Sequence, residues 1–161
     1  MITIKELLTA YKNGEITPER YIKERLKEAT RLKDYNIWTY LLSWEEIAPY
    51  IENLHGADID KFPLYGVPFA IKDNIDLKDV PTTAACADFS YLAKASAKVV
   101  KNLVTAGAIP LGKTNLDQFA TGLNGTRSPY GIVHNAFDFN RISGGSSSGS
   151  AAVSYTHLRA H

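Results

Sequence analysis

The run Leu64-Tyr65-Gly66-Val67-Pro68-Phe69-Ala70-Ile71 is apolar without interruption and has the length of a single strand. In mixed chains such runs form strands covered on both faces. A helix is expected next, from about Ala93 to Ala106, with Val99, Val100, Leu103 and Val104 on its buried side. Gly107 is placed to end that helix, and Ala108-Ile109-Pro110-Leu111 reads as the following strand. Strand, helix, strand is the order of a parallel sheet, which commits the chain to an α/β fold. Its 161 residues fit one domain with a sizeable core.

Before that unit the pattern is mostly helical. Ile4, Leu7, Leu8 and Tyr11 share one face of a first helix, and Gly14 stands where its C-terminal cap would be. Thr17-Pro18 supplies an N-cap and a first-turn proline for a second helix, with Ile22, Leu26 and Ala29 on its apolar face. The β-branched and aromatic stretch Ile37-Trp38-Thr39-Tyr40-Leu41-Leu42 predicts a short strand. Ser43 then caps a helix from about Trp44 to Leu54, ended by His55-Gly56. Beyond the parallel unit, a short helix carrying Leu116 and Phe119 is expected, then a long loop from Gly122 to Arg141.

Composition narrows the functional classes. Eighteen Lys and Arg against 17 Asp and Glu leave a net charge of +1, which gives no electrostatic footprint for nucleic acid or a membrane surface. The single Cys86 excludes an internal disulfide and a cysteine-based zinc site, and reads as a packed small hydrophobe. No segment has the apolar length of a signal peptide core or a membrane span. The expectation is a soluble cytoplasmic protein acting on a small molecule.

Two places carry chemistry. Gly144-Gly145-Ser146-Ser147-Ser148-Gly149-Ser150 leads into Ala151, Ala152 and Val153, the start of a buried helix. A glycine-rich loop opening a helix turns backbone N–H groups and hydroxyls toward one point, which suits an oxyanion or a set of activated hydroxyls; a flexible linker is the alternative. Ser150 and Ala151 after Gly149 exclude a phosphate-binding P-loop, which needs Gly-Lys-Ser/Thr. The second place is Lys72-Asp73-Asn74 at the end of the apolar run. Lys72 is either a solvated strand end or a lysine at the rim of an apolar interior, where desolvation lowers its pKa and makes it a base.

Three separated motifs agree in order: Gly66-Val67-Pro68-Phe69-Ala70-Ile71-Lys72-Asp73-Asn74, Gly112-Lys113-Thr114-Asn115-Leu116-Asp117-Gln118-Phe119, and Ser143-Gly144-Gly145-Ser146-Ser147-Ser148-Gly149-Ser150. Together they resemble the amidase signature family. Within it, Pro81-Thr82-Thr83-Ala84-Ala85-Cys86 and Asp117-Gln118-Phe119-Ala120-Thr121-Gly122-Leu123, continuing through Gly125-Thr126-Arg127-Ser128-Pro129-Tyr130-Gly131, are most similar to the allophanate hydrolases. The similarity covers residues 1–154.

The resemblance implies the N-terminal part of the amidase-signature fold, a mixed sheet covered by helices. It implies an amide hydrolase of the Ser–cis-Ser–Lys type, acting on allophanate to give ammonia and carbon dioxide in urea degradation. Lys72 matches the catalytic lysine and Ser146 the cis-serine, with Gln118, Thr121, Gly122 and Ser147 placed at the substrate and Arg127 beside them. Asp73 and Asn74 are expected to orient the lysine loop, whereas Asp117 also has an ordinary reading as an acidic residue opening a helix. No metal and no organic cofactor is implied. The implied partners are a biotin-dependent urea carboxylase and, in the full-length parent, a homodimer. The family's attacking serine lies roughly two dozen residues beyond the cis-serine, near the oxyanion hole, and the chain runs on only to His161. The expectation is therefore a fragment without its nucleophile, whose tail Tyr155–His161 is unlike the family. His157 and His161 in that tail are not expected to hold a metal. Other readings are another amidase, the amidotransferase component that forms Gln-tRNA, and an inactive, non-catalytic fragment.

Overall fold

The computed structural model describes residues 2–156. It begins with two helices, α1 (Ile4–Lys12) and α2 (Pro18–Arg31), each opened by a threonine cap: Thr3 accepts from Glu6 N, and Thr17 from Arg20 N. Strand β1 (Trp38–Leu41) follows, and Ser43 caps α3 (Trp44–Glu52) through a reciprocal capping box with Glu46. Strand β2 (Pro68–Lys72) leads to a small hairpin of β3 (Pro81–Thr82) and β4 (Tyr91–Leu92). Helix α4 (Lys98–Thr105) returns the chain to β5 (Ile109–Thr114), and after a long loop α5 (Ser148–Thr156) ends the described chain.

The main sheet has the order β1-β5-β2, with β2 parallel and β1 antiparallel to β5. This is the mixed α/β architecture expected, and the parallel pair is the one that the strand-helix-strand pattern predicts. Every residue of the central strand β5 is buried. Pro110 is tolerated there because the β2–β5 register slips beside it, Phe69 facing Pro110 and Ala70 facing Gly112.

Helices cover both faces of the sheet. On one, Ile22 of α2, Ile47 and Ile51 of α3, and Val100 of α4 pack with Ile71, Ile109 and Leu111 of the sheet. On the other, Ala152 and Val153 of α5 pack with Ile37 and Val133, against which Trp38 and Ala70 rest. Side chains alternate across a strand, so consecutive residues at the end of β2 serve opposite faces. That alternation positions the site.

Four expectations are corrected. Strand β2 begins at Pro68 rather than Leu64, because Gly66 takes a φ of +66° and Val67 N turns back to Leu64 O. Helix α4 begins at Lys98 rather than Ala93, and Val99 is 54% exposed, since the face set by Val100, Leu103 and Val104 leaves it turned outward. Helix α3 stops at Glu52, and Leu54 is buried from the following turn. In place of a short helix with Phe119 inside, Gln118–Ala120 is a single 3₁₀ turn in which Phe119 has φ +51° and is half exposed. Tertiary bonds outcompete the helix there: Gln118 N donates to Arg127 O (2.6 Å) and Phe119 N to Ala84 O (2.9 Å).

No helix among the described residues is long and apolar enough to cross a membrane. Tyr155 and Thr156 continue α5, while His157 and His161 lie outside the described residues.

Candidate active site

Lys72 is the last residue of β2, opposite Thr114 of β5. Both side chains point to the face covered by α5: Thr114 Oγ1 lies 2.9 Å from Ser150 Oγ, and Lys72 Nζ lies 2.8 Å from Ser146 Oγ. Lys72 and Ser146, 74 residues apart in sequence, are thus in hydrogen-bond contact. The Gly145–Ser146 peptide bond is cis. Burial lowers the Lys72 ammonium from its ordinary value of 10.5, and Asp117 pulls it back up in part. A lysine so placed can lose its proton and accept one from Ser146.

The loop bearing Ser146 is held by the segment after β5. Asn115 O accepts from Gly149 N (2.9 Å) and from Ser148 Oγ (3.3 Å), and Asp117 N donates to Ser146 O (3.0 Å). The Asn115 amide also donates to Asn36 O and Gly131 O, while its oxygen accepts from Leu116 N and Ser128 Oγ. One buried asparagine therefore joins four segments.

Asp117 does more than open a turn. It is fully buried, with Gly125 N 3.0 Å from Oδ2 and Arg127 N 2.9 Å from Oδ1. Burial pushes its carboxyl up, but backbone N–H groups of Arg127, Gly125, Asn124 and Thr126 outweigh that and hold it below its ordinary value of 3.8. A carboxylate lowered in this way contributes its stability fully above 3.8 and loses it as the pH falls through the lower folded value. Asp117→Asn should cost about 2 kcal/mol at neutral pH. Urea unfolding should show that difference narrowing as the pH falls below 3.8, toward the lower value at which the native carboxylate protonates.

Of the expected substrate residues, Gln118 donates from Nε2 to Ala85 O (3.0 Å), and Thr121 Oγ1 donates to Gln118 O (2.8 Å). Thr121 and Gly122 line a shallow cavity of about 300 Å³ with Asp117, Leu123, Asn124 and Arg127. Arg127 reaches Thr121 O through Nη1 (3.1 Å). Ser147 is exposed next to Ser146, and Asn74 is exposed. Cys86 is half-buried, and its N–H donates to Thr83 O. The structure thus joins Lys72 to Ser146 and sets Thr121 and Gly122 around a cavity with Asp117, whose N–H donates to Ser146 O, while the Gln118 side chain is turned to Ala85 O.

The amidase family model matches residues 21–154 of this chain. The chain belongs to the amidase family. A urea amidolyase of Saccharomyces cerevisiae is 54% identical to this amidase-family chain over 119 residues, 73% of this chain and 6% of that protein. A glutamyl-tRNA(Gln) amidotransferase component of Lactobacillus johnsonii is 40% identical over 152 residues, 93% of this chain and 30% of the relative. An allophanate hydrolase of Kluyveromyces lactis superposes with a TM-score of 0.85 at 38% identity, covering 98% of this chain and 26% of the solved one. The chain thus spans less than a third of each of these relatives.

Two residues of the site are not singled out by the sequence: Lys113, and Asp117 as the anchor of the 124–127 loop. Lys113 has a readable signal, since it stands one glycine beyond the apolar run Ala108–Leu111, close to where Lys72 stands after its own. Asp117 has none, because its partners are backbone groups up to ten residues away.

Proposed function

We propose that Lys72 and Ser146 form the proton relay of an amide hydrolase whose substrate is allophanate, with residues 1–154 as part of its amidase domain. The observation that carries this reading is the 2.8 Å contact between a lysine lowered by burial and a serine at the head of the α5 loop. Neutral Lys72 accepts the Ser146 proton as Ser146 takes one from an attacking hydroxyl, whose oxygen then adds to the amide carbonyl. That hydroxyl is assigned to a further serine of the intact enzyme. Gln118, Thr121, Gly122 and Ser147 are assigned to substrate binding.

Similarity to a urea amidolyase and to an allophanate hydrolase supports the substrate. It also supports a biotin-dependent urea carboxylase as the companion activity. The amidotransferase relative favours a second reading, hydrolysis of glutamine for transfer to tRNA. Ammonia release by the intact enzyme decides between them: allophanate turned over without tRNA supports the first, and glutamine turnover coupled to Glu-tRNA supports the second. No ammonia from any amide would overturn both.

The pH dependence follows from the lysine. Below its folded pKa Lys72 is protonated and cannot accept, so kcat/KM for allophanate should rise with pH. Its midpoint should lie below the ordinary lysine value of 10.5. A pH-rate profile with no rise below the ordinary lysine value would contradict the role.

A further inference from the structure

Lys113 is the largest fully buried side chain among the described residues, and it carries a charge that the proton relay does not use. Nζ donates to Asp73 Oδ1 (2.7 Å), Thr82 Oγ1 (2.9 Å) and Pro81 O (3.2 Å), so all three ammonium hydrogens are engaged. Asp73 also accepts from Thr83 Oγ1 (2.5 Å) and Thr83 N (3.4 Å). Its own backbone is bonded at both ends, N to Thr114 O and O from Ala84 N. From there the connections reach the cavity segment, since Ala84 O accepts from Phe119 N and Ala85 O from Gln118 Nε2.

We propose that Lys113 is a positioning residue for Lys72: by clamping and neutralising Asp73 it fixes the end of β2 and leaves the lysine–serine pair with no uncompensated anion from its own segment. Lys72 and Asp73 are consecutive but serve opposite faces of the sheet. The clamp therefore holds the lysine from behind without competing for its amine.

The charged groups around Lys72 support this. Asp117, from the segment after β5, is the carboxylate that draws Lys72 back toward its charged form. Asp73, on Lys72's own strand end, has its charge taken up by Lys113 of β5. Asp76, in the turn after β2, is bonded to Thr82 and Tyr91. Helix α5 carries no charged residue within Ser148–Thr156. Loss of Lys113 would leave Asp73 as a second anion beside Lys72.

This inference rests on the proposed role of Lys72, and its test reads Lys72 directly rather than turnover. The pH dependence of acetic anhydride labelling at Lys72, followed by mass spectrometry in the intact enzyme, gives the midpoint of its ionisation. Lys113→Met should move that midpoint up by about one pH unit and lower kcat/KM near neutrality about tenfold. Asp73→Asn, which leaves the Lys113 cation unpaired, should move it down. The double variant Asp73→Asn with Lys113→Met should return it to the wild-type value, and this variant and Asp73→Asn keep the test open where Lys113→Met alone fails to fold. An unmoved midpoint in the folded variants would overturn the proposal. Absence of hydrolysis in the wild type would instead remove the proposed function and leave the labelling result standing.

Discussion

Lys72→Met in the intact enzyme is expected to lower kcat/KM for amide hydrolysis by about a hundredfold to ten-thousandfold, the span that a positioned acid–base group contributes. The substitution keeps the length and apolar stem of the side chain and removes the group that takes the proton. Stability should change little, by about 0.5 kcal/mol, as for a substitution that creates no cavity and no buried unpaired charge. Lys72 is half-buried, and its amine is bonded to Ser146. Parallel measurement of initial rates and denaturant midpoints separates the two effects. A folded variant that keeps more than a tenth of the wild-type rate would show that the lysine is structural.

Gly149→Ala is expected to act on folding instead. Gly149 is buried where the first turn of α5 crosses the segment after β5. A Cβ there would stand 2.7 Å from Asn115 N and closer still to Ile37 O, both backbone atoms that cannot rotate away. Either α5 shifts, which breaks the Gly149 N to Asn115 O bond, or β1 and β5 are pushed apart. A loss of about 3 kcal/mol, the upper part of the usual range for overpacking, is expected in chemical denaturation. Gly144→Ala provides the contrast. Its Cβ would meet nothing within 4 Å, and the φ of +83° alone makes it unfavourable, at about 1 kcal/mol. Equal losses in the two variants would mean that the close approach at Gly149 is not what excludes a side chain.

The fold is readable where local and tertiary signals agree. The threonine and serine caps, the glycine stops and the apolar run ahead of Lys72 each act within a few residues, so helices α1 to α3 and the parallel β2–β5 pair follow from sequence. The pairing of Lys72 with Ser146 comes from a three-motif resemblance rather than from spacing, since nothing within either segment announces the other. Asp117 and Phe119 escape sequence reading for one reason. Their conformations are set by backbone bonds to Arg127, Gly125 and Ala84, partners that periodicity cannot register. Lys113 escapes it because a lysine in a motif is ordinarily read as solvated. Its burial is offset by Asp73, the Thr82 hydroxyl and Pro81 O, groups that the fold brings to it from other segments.

The central claim is that Lys72 and Ser146 act as one relay, and a double-mutant cycle on kcat/KM tests it most directly. Lys72→Met, Ser146→Ala and the two combined are compared with wild type in the intact enzyme, with folding checked for each. If the pair is one relay, either single change disables it, and the double variant is about as slow as the slower single one. If the double variant is slower by the product of the two single losses, lysine and serine act independently and the relay is wrong.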